Sequence, residues 1–164
     1  MSDIANVSLW KPTLVAITVA VVVGLIGGLS TDIGPWYRDL KKPWFQPPDW
    51  AFGPAWTIIY AATGTAAVIA WRHAAEDSQR TLILIAFLIN ALLNVAWSVI
   101  FFTFKRPDLA LIEVSVLWLS IVALIYIVWP HSKTAAYLLL IYLAWVTFAS
   151  ALNFATVKLN PTIY

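Results

Sequence analysis

Three observations predict an all-α fold, an integral membrane bundle of five transmembrane helices. The chain is 62% hydrophobic and 11% charged, where soluble domains carry about 45–50% and about 25%. Five stretches, 12–31, 50–71, 81–104, 109–131 and 134–157, are free of Asp, Glu, Lys and Arg apart from Glu113. Each has the roughly 20 residues that a helix needs to cross about 30 Å of hydrocarbon at about 1.5 Å per residue. The stretches are apolar all round and do not alternate, which excludes barrel strands. Such a composition excludes a soluble globular domain, a disordered chain and a basic nucleic-acid binder, so no nucleic-acid partner is expected. The absence of cysteine removes disulfides, thiolate ligands and cysteine nucleophiles. Residues 1–164 read as one domain.

The first span, 12–31, follows Lys11 and is longer than the 7–15 apolar residues of a signal peptide, so it reads as a retained helix. Gly24 and Gly28 stand in G-x-x-x-G spacing, which lets another backbone approach. Packing inside the bundle is expected, with a dimer seam as the other use. The loop 32–49 holds four prolines and a cluster of aromatics. Loops beyond about 12–15 residues are more often functional than connecting. As Trp and Tyr settle at the headgroup level, the loop reads as an interfacial cap that doubles as a lid. The other three connections are short and make antiparallel neighbours.

Five spans put the termini on opposite sides. The N-terminal side, side A, holds Lys11, Arg72, Arg80 and Lys133, and side B holds the other six of the ten basic residues. This weak bias favours a cytoplasmic side B. No internal repeat supports an inverted-repeat transporter.

Depth then sorts the polar and aromatic groups. Trp10, Trp50, Trp71 and Trp129 fall near span ends, as an aromatic belt requires. Counted from side B, Trp56, Trp97, Trp118 and Trp145 lie about 9, 10, 14 and 18 Å deep. Tyr60 and Asn94 lie at about 15 Å, Asn90 at about 21 Å and Asn153 at about 6 Å. Trp56, Tyr60 and Gly64 share one helix face, as do Asn90, Asn94 and Ser98, and Trp145, Ala149 and Asn153. Amides in hydrocarbon need partners, so these stripes should face inward, either pairing with each other or lining a cavity. Together with the loop on the same side, they describe an apolar pocket for a large flat guest. Glu113, near side B, is expected to snorkel or to pair with Lys105 or Arg106. His73 and His131 lack ligand spacing, and no nucleotide loop or catalytic triad is present. No metal and no cofactor are expected.

Trp36-Tyr37, Leu40-Lys41-Lys42-Pro43-Trp44, Pro47-Pro48, Phe52-Gly53-Pro54-Ala55-Trp56 and Tyr60 resemble the signature of the TspO/MBR family of tryptophan-rich sensory and translocator proteins. Asn94-Val95-Ala96-Trp97 with Phe101-Phe102 resembles the family's third-helix motif. Leu143-Ala144-Trp145-Val146-Thr147-Phe148-Ala149 with Leu152-Asn153 resembles its fifth. The match runs in order over residues 36–158.

The resemblance implies a five-helix bundle, commonly a homodimer, that binds porphyrins such as protoporphyrin IX, cholesterol and drug-like hydrophobic molecules beneath the first loop. By motif, Trp56, Tyr60, Asn94, Trp97, Trp145 and Ala149 would line the site and Trp36 and Trp44 would belong to the lid. Phe154 stands where the family's sterol motif carries tyrosine, so that hydroxyl is lost. The short tail after Lys158 is like that of bacterial members, which makes a bacterial membrane the expected location. The expected function is a receptor or translocator for porphyrin-type ligands, in tetrapyrrole transport or stress signalling. The alternatives are an enzyme degrading porphyrin with light and oxygen, with Trp56 and Trp145 as its working residues, and a structural membrane partner protein.

Overall fold

The computed structural model describes residues 10–161; the ends of the 1–164 domain lie outside the described residues. Five long helices, α1 (Trp10–Ser30), α3 (Phe52–His73), α4 (Asp77–Ser98), α5 (Pro107–Val128) and α6 (Lys133–Leu159), run through the bundle. All five, with their short extensions, are long and apolar enough to span a membrane, at 21 to 27 residues. A short helix, α2 (Pro35–Asp39), lies in the first loop. No strand occurs among the described residues.

The helix limits differ from the charge-free stretches where capping chemistry intervenes. α4 starts at Asp77 rather than at 81, because Glu76 and Gln79 form a reciprocal capping box that satisfies the first free N–H groups. α5 stops at Val128, short of 131. Pro130 cannot continue the ladder, and the amides of His131 and Ser132 both close onto the Val128 carbonyl. α6 begins where the Ser132 hydroxyl accepts from the Ala135 amide. The loop 32–49 is partly ordered: Pro35 opens α2 with its φ already set, and a 3₁₀ turn at Asp49–Ala51 leads into α3.

Beyond Ser98 the third span widens into a π-helical turn, Val99–Thr103, closed by Phe104 N–H to Val99 O at 2.9 Å. The extra residue per turn lets consecutive Phe101 and Phe102 both stay buried. Lys105 then reverses the chain with φ at 55°.

The helices close a ring in which α1 touches α3 and α4, α3 touches α6, α6 touches α5 and α5 touches α4. Lipid is as apolar as these side chains, so close packing and interhelical hydrogen bonds hold the ring. Near side A, Ala66, Ala70, Ala135 and Ala136 let the helices approach around Leu124, Val128 and Leu139. At mid-depth, Ile59, Leu117, Ile121, Tyr142 and Val146 form the centre. Near side B, Tyr37 and Leu40 of the loop region pack on Phe101, Phe102 and Ala110. α1 is the least embedded helix and buries only Val23 and Gly27. Gly24 and Gly27 face the Tyr60 side chain, where an added Cβ would lie 3.5 and 3.8 Å from it, but nothing lies within 4 Å of Gly28. The two members of the G-x-x-x-G pair therefore point to different surroundings.

Candidate functional site

A chain of hydrogen bonds crosses the bundle at mid-depth. The Tyr60 hydroxyl donates to Asn94 Oδ1 at 3.1 Å, and Asn94 Nδ2 donates to the Tyr142 hydroxyl at 3.0 Å. One turn towards side A, Asn90 Nδ2 donates to Ser120 Oγ at 2.8 Å. Towards side B, Trp97 Nε1 donates to Asn153 Oδ1 at 3.1 Å and Asn153 Nδ2 donates to the Pro107 carbonyl at 2.8 Å. All three asparagines are buried, and these pairings remove much of the penalty of placing amides in hydrocarbon. Asn90 and Asn153 both reach α5, through Ser120 and Pro107, while Asn94 bridges α3 and α6.

On the side-B flank of this chain stands an aromatic array. Trp56 stacks on Tyr60 with ring centroids 5.4 Å apart, and it meets Trp145 and Tyr142 edge-on at 6.3 and 6.4 Å. Trp145 continues the array to Phe52 and Phe148, and Phe148 meets Phe45 of the loop. Trp97 packs against Phe101 and Phe102. Trp118 lies apart, at the α5–α6 seam, and its indole N–H donates to Thr147 Oγ1 at 2.8 Å.

The loop is tied over this array to the end of α6 and braced by hydrogen bonds within itself. Asn160, just beyond α6, accepts the Lys41 amide through Oδ1 and donates Nδ2 to the Lys41 carbonyl, both at 2.9 Å. The Tyr37 hydroxyl accepts from Gln46 Nε2 at 3.1 Å and donates to Asp49 Oδ1 at 3.3 Å. Lys42 lies over the Tyr37 ring at 4.0 Å. Burial, followed by the nearby Asp49 charge, pushes the Tyr37 phenol up to about 12. Trp36 rests edge-on against Phe101. Trp44 is 95% exposed and reaches the array only through Phe45.

Two hollows flank the polar chain. The one beneath the loop, with a volume near 60 Å³, is bordered by Trp97, Phe52, Ala149 and Asn153 from the bundle and by Tyr37 and Gln46 from the loop. The larger, near 330 Å³, opens on the other half, between α1, α3 and α4. Tyr60 and Asn94 line the larger hollow, Trp97 and Ala149 line the smaller, and Trp56 and Trp145 stand in the aromatic array without lining either. The residues singled out by sequence are thus divided between two spaces.

Side-chain size explains the division. Aromatics fill the side-B half, whereas Ala16, Ala20, Gly64, Ala67 and Ala91 face the space beside α1 and leave it open.

Tyr142 and Asn160 were missed by sequence reasoning. Tyr142 has a readable signal, being an intramembrane phenol three and seven residues before Trp145 and Ala149 on one helical face. Asn160 follows the span and carries no such pattern. Glu113 also departs from expectation. Both its carboxylate oxygens are buried without a hydrogen-bond partner. Arg106 instead engages Asp108 through two hydrogen bonds at 2.8 and 2.6 Å, and Lys105 extends towards the Trp36 ring.

The TspO/MBR family model matches residues 16–159. The chain is 39% identical over 150 residues to the tryptophan-rich protein TspO of Archaeoglobus fulgidus, covering 90% of this chain and 96% of that one. It is 35% identical over 153 residues to the protein of the same name from Chlorobaculum tepidum, with 88% and 97% covered. With the human translocator protein it shares 31% identity over 126 residues, with 76% and 75% covered. Together with the five spans, these similarities make this a multi-pass integral membrane protein, and the chain belongs to the TspO/MBR family.

Proposed function

We propose that the protein is a membrane receptor or translocator that takes a flat, largely apolar tetrapyrrole of the protoporphyrin type between the aromatic array and the loop. The observation that carries this reading is the continuous array Trp56–Trp145–Phe148 with Phe45 of the loop as its roof. A porphyrin offers an extended π-face, and offset or edge-on aromatic contacts contribute about 0.5–1.5 kcal/mol each beyond area burial. Small-molecule sites enclose about 300–1,000 Å³, far more than the hollow beneath the loop. Binding therefore requires the loop to lift and Phe45 to leave Phe148. Trp97 and Ala149 border the space that opens, and Tyr60 and Asn94 hold Trp56 from behind. Trp36 and Trp44 move with the lid. The relatives named as translocator and tryptophan-rich sensory proteins support a role in ligand movement or sensing. A homodimer in a bacterial membrane is part of the same reading.

The test is a protoporphyrin IX titration read by quenching of intrinsic fluorescence. Trp56→Phe with Trp145→Phe raises the dissociation constant about ten-fold, as expected from losing about 1.4 kcal/mol of ring contact. An unchanged constant rejects the site.

A second reading, photo-oxidative breakdown of the porphyrin, draws on the contact between Trp56, Tyr60 and Trp145, which places oxidisable rings in series. Equal bleaching of porphyrin absorbance in light and air by wild type and by the double variant rejects it.

A further inference from the structure

The hollow beneath the loop has one charged residue on its wall, Lys42, among otherwise aromatic, aliphatic and neutral polar side chains. Its ammonium sits 4.0 Å over the Tyr37 ring, and that ring is buried against Phe102 with centroids 5.6 Å apart. The contact holds the cation at the rim of the hollow. Its carboxylate neighbour is a loose one: Asp49 Oδ1 lies 3.9 Å away on a half-exposed side chain and already accepts from the Tyr37 hydroxyl at 3.3 Å. A pair that long and that wet contributes little, so another carboxylate can replace it. Other cations at this end are placed differently. Arg106 is paired with Asp108, Lys105 lies towards Trp36 and Lys158 lies over Phe154, and none of these three borders the hollow.

The hollow joins the aromatic array through Phe52, which meets Trp145, and through Ala149, one turn beyond Trp145 on α6. Charge compensation ends at its rim. The five apolar spans contain no Lys or Arg, and at mid-depth Tyr60, Asn94 and Tyr142 are hydrogen-bonded to one another. A carboxylate carried to that level would meet no cation, at large cost in an apolar surrounding. One held at Lys42 keeps both a counter-charge and access to water.

We propose that Lys42 recognises the carboxylates of the ligand, selecting a tetrapyrrole acid over its neutral counterpart and orienting it with the propionate edge at the loop and the apolar edge against Trp56 and Trp145. This rests on the porphyrin reading above and adds to it a direction and a selectivity. Both propionates of protoporphyrin IX lie on one edge of the ring, so a single cationic rim serves them. As the loop lifts to admit the macrocycle, Lys42 moves with it and exchanges Asp49 for a ligand carboxylate. Gln46, which gives one Nε2 hydrogen to Tyr37, has a second for the same group.

The experiment uses the full chain in detergent and in lipid nanodiscs, and compares protoporphyrin IX with its dimethyl ester by quenching of intrinsic fluorescence. The ester keeps the ring and removes the charge. Wild type binds the diacid about five-fold more tightly than the ester, the upper range of a solvent-exposed ion pair. Lys42→Met keeps the apolar stem and abolishes this preference, whereas Lys42→Arg retains it. The ratio of the two constants is insensitive to any change in folding or loop closure that both ligands share. Lys158→Met, at the same end of the bundle, leaves the ratio unchanged. Equal affinity for diacid and ester in the wild type overturns the assignment. So does a preference that survives Lys42→Met, or one that Lys158→Met removes as completely. Failure of the porphyrin site itself looks different: neither ligand then binds saturably, or both bind with constants indifferent to loss of Trp56 and Trp145, and the assignment of Lys42 falls with it.

Discussion

Replacing Asn160 by alanine should release the loop without touching the aromatic array. Asn160 is 4% exposed and holds Lys41 by both backbone groups at 2.9 Å, while its amide also donates to the Thr156 carbonyl at 2.8 Å. The two bonds to Lys41 join the loop to the end of α6 across 119 residues of sequence. At about 0.5–1.5 kcal/mol net for each hydrogen bond, losing both destabilises the closed loop by about 1–3 kcal/mol. At 1.4 kcal/mol per factor of ten, its open population rises about 5- to 140-fold. Amide hydrogen exchange reads this directly, because exchange at Lys41 proceeds through local opening. The Asn160→Ala variant should exchange faster at Lys41 by that factor, with the α5 and α6 core unchanged. Asn160→Asp keeps the acceptor for the Lys41 amide and loses the donor to its carbonyl, so it should fall between the two. Exchange at Lys41 indistinguishable from wild type would refute the clamp, and with it the picture of a lid held shut by a few polar contacts.

Tyr142→Phe leaves Asn94 Nδ2 without its 3.0 Å acceptor in a buried position. Its thermal midpoint in detergent should fall by the equivalent of about 1–3 kcal/mol, more than for Tyr60→Phe beside the larger hollow. The Tyr37 phenol has a pKa raised from 10.0 to about 12, chiefly by burial. Its contribution to loop docking is complete below pH 10 and is lost as pH climbs from 10 through 12, because the unfolded phenol ionises first. Ultraviolet titration of tyrosinate should show a late step that Tyr37→Phe deletes. Ala149→Thr intrudes on the hollow near 60 Å³. Overpacking of about 1–3 kcal/mol should appear as weaker porphyrin binding or a lower midpoint, and no change in either removes Ala149 from the site.

The spans were legible because crossing a bilayer requires long uncharged runs, and 109–131 differs from Pro107–Val128 only at its ends. The end points were less legible because they depend on local chemistry: the capping box at Glu76 and Gln79, and Pro130 after Val128. Burial of Asn90, Asn94 and Asn153 follows from the cost of an unpaired amide in lipid, which a single sequence conveys. Which group each amide meets is a matter of helix rotation, so Tyr142, Ser120 and Pro107 could not be named from spacing alone. The depth count put Tyr60 and Asn94 about 15 Å below side B, at the mid-depth where they are found, and grouped them with Trp97 in one pocket beneath the loop. The structure instead brings Tyr60 and Asn94 to the larger hollow on the other half, because small residues on α1, α3 and α4 leave space there that aromatics fill on side B. Residue depth is set by the helix rise, but the position of a void depends on side-chain volumes summed over neighbouring helices.

A structure of the protein with protoporphyrin IX bound tests the central claim most directly. The macrocycle should lie between Trp56, Trp145 and Phe148 on one side and a lifted 36–49 segment on the other, with Phe45 displaced from Phe148. A macrocycle seated in the hollow between α1, α3 and α4, with the loop still fastened to Asn160, would contradict it.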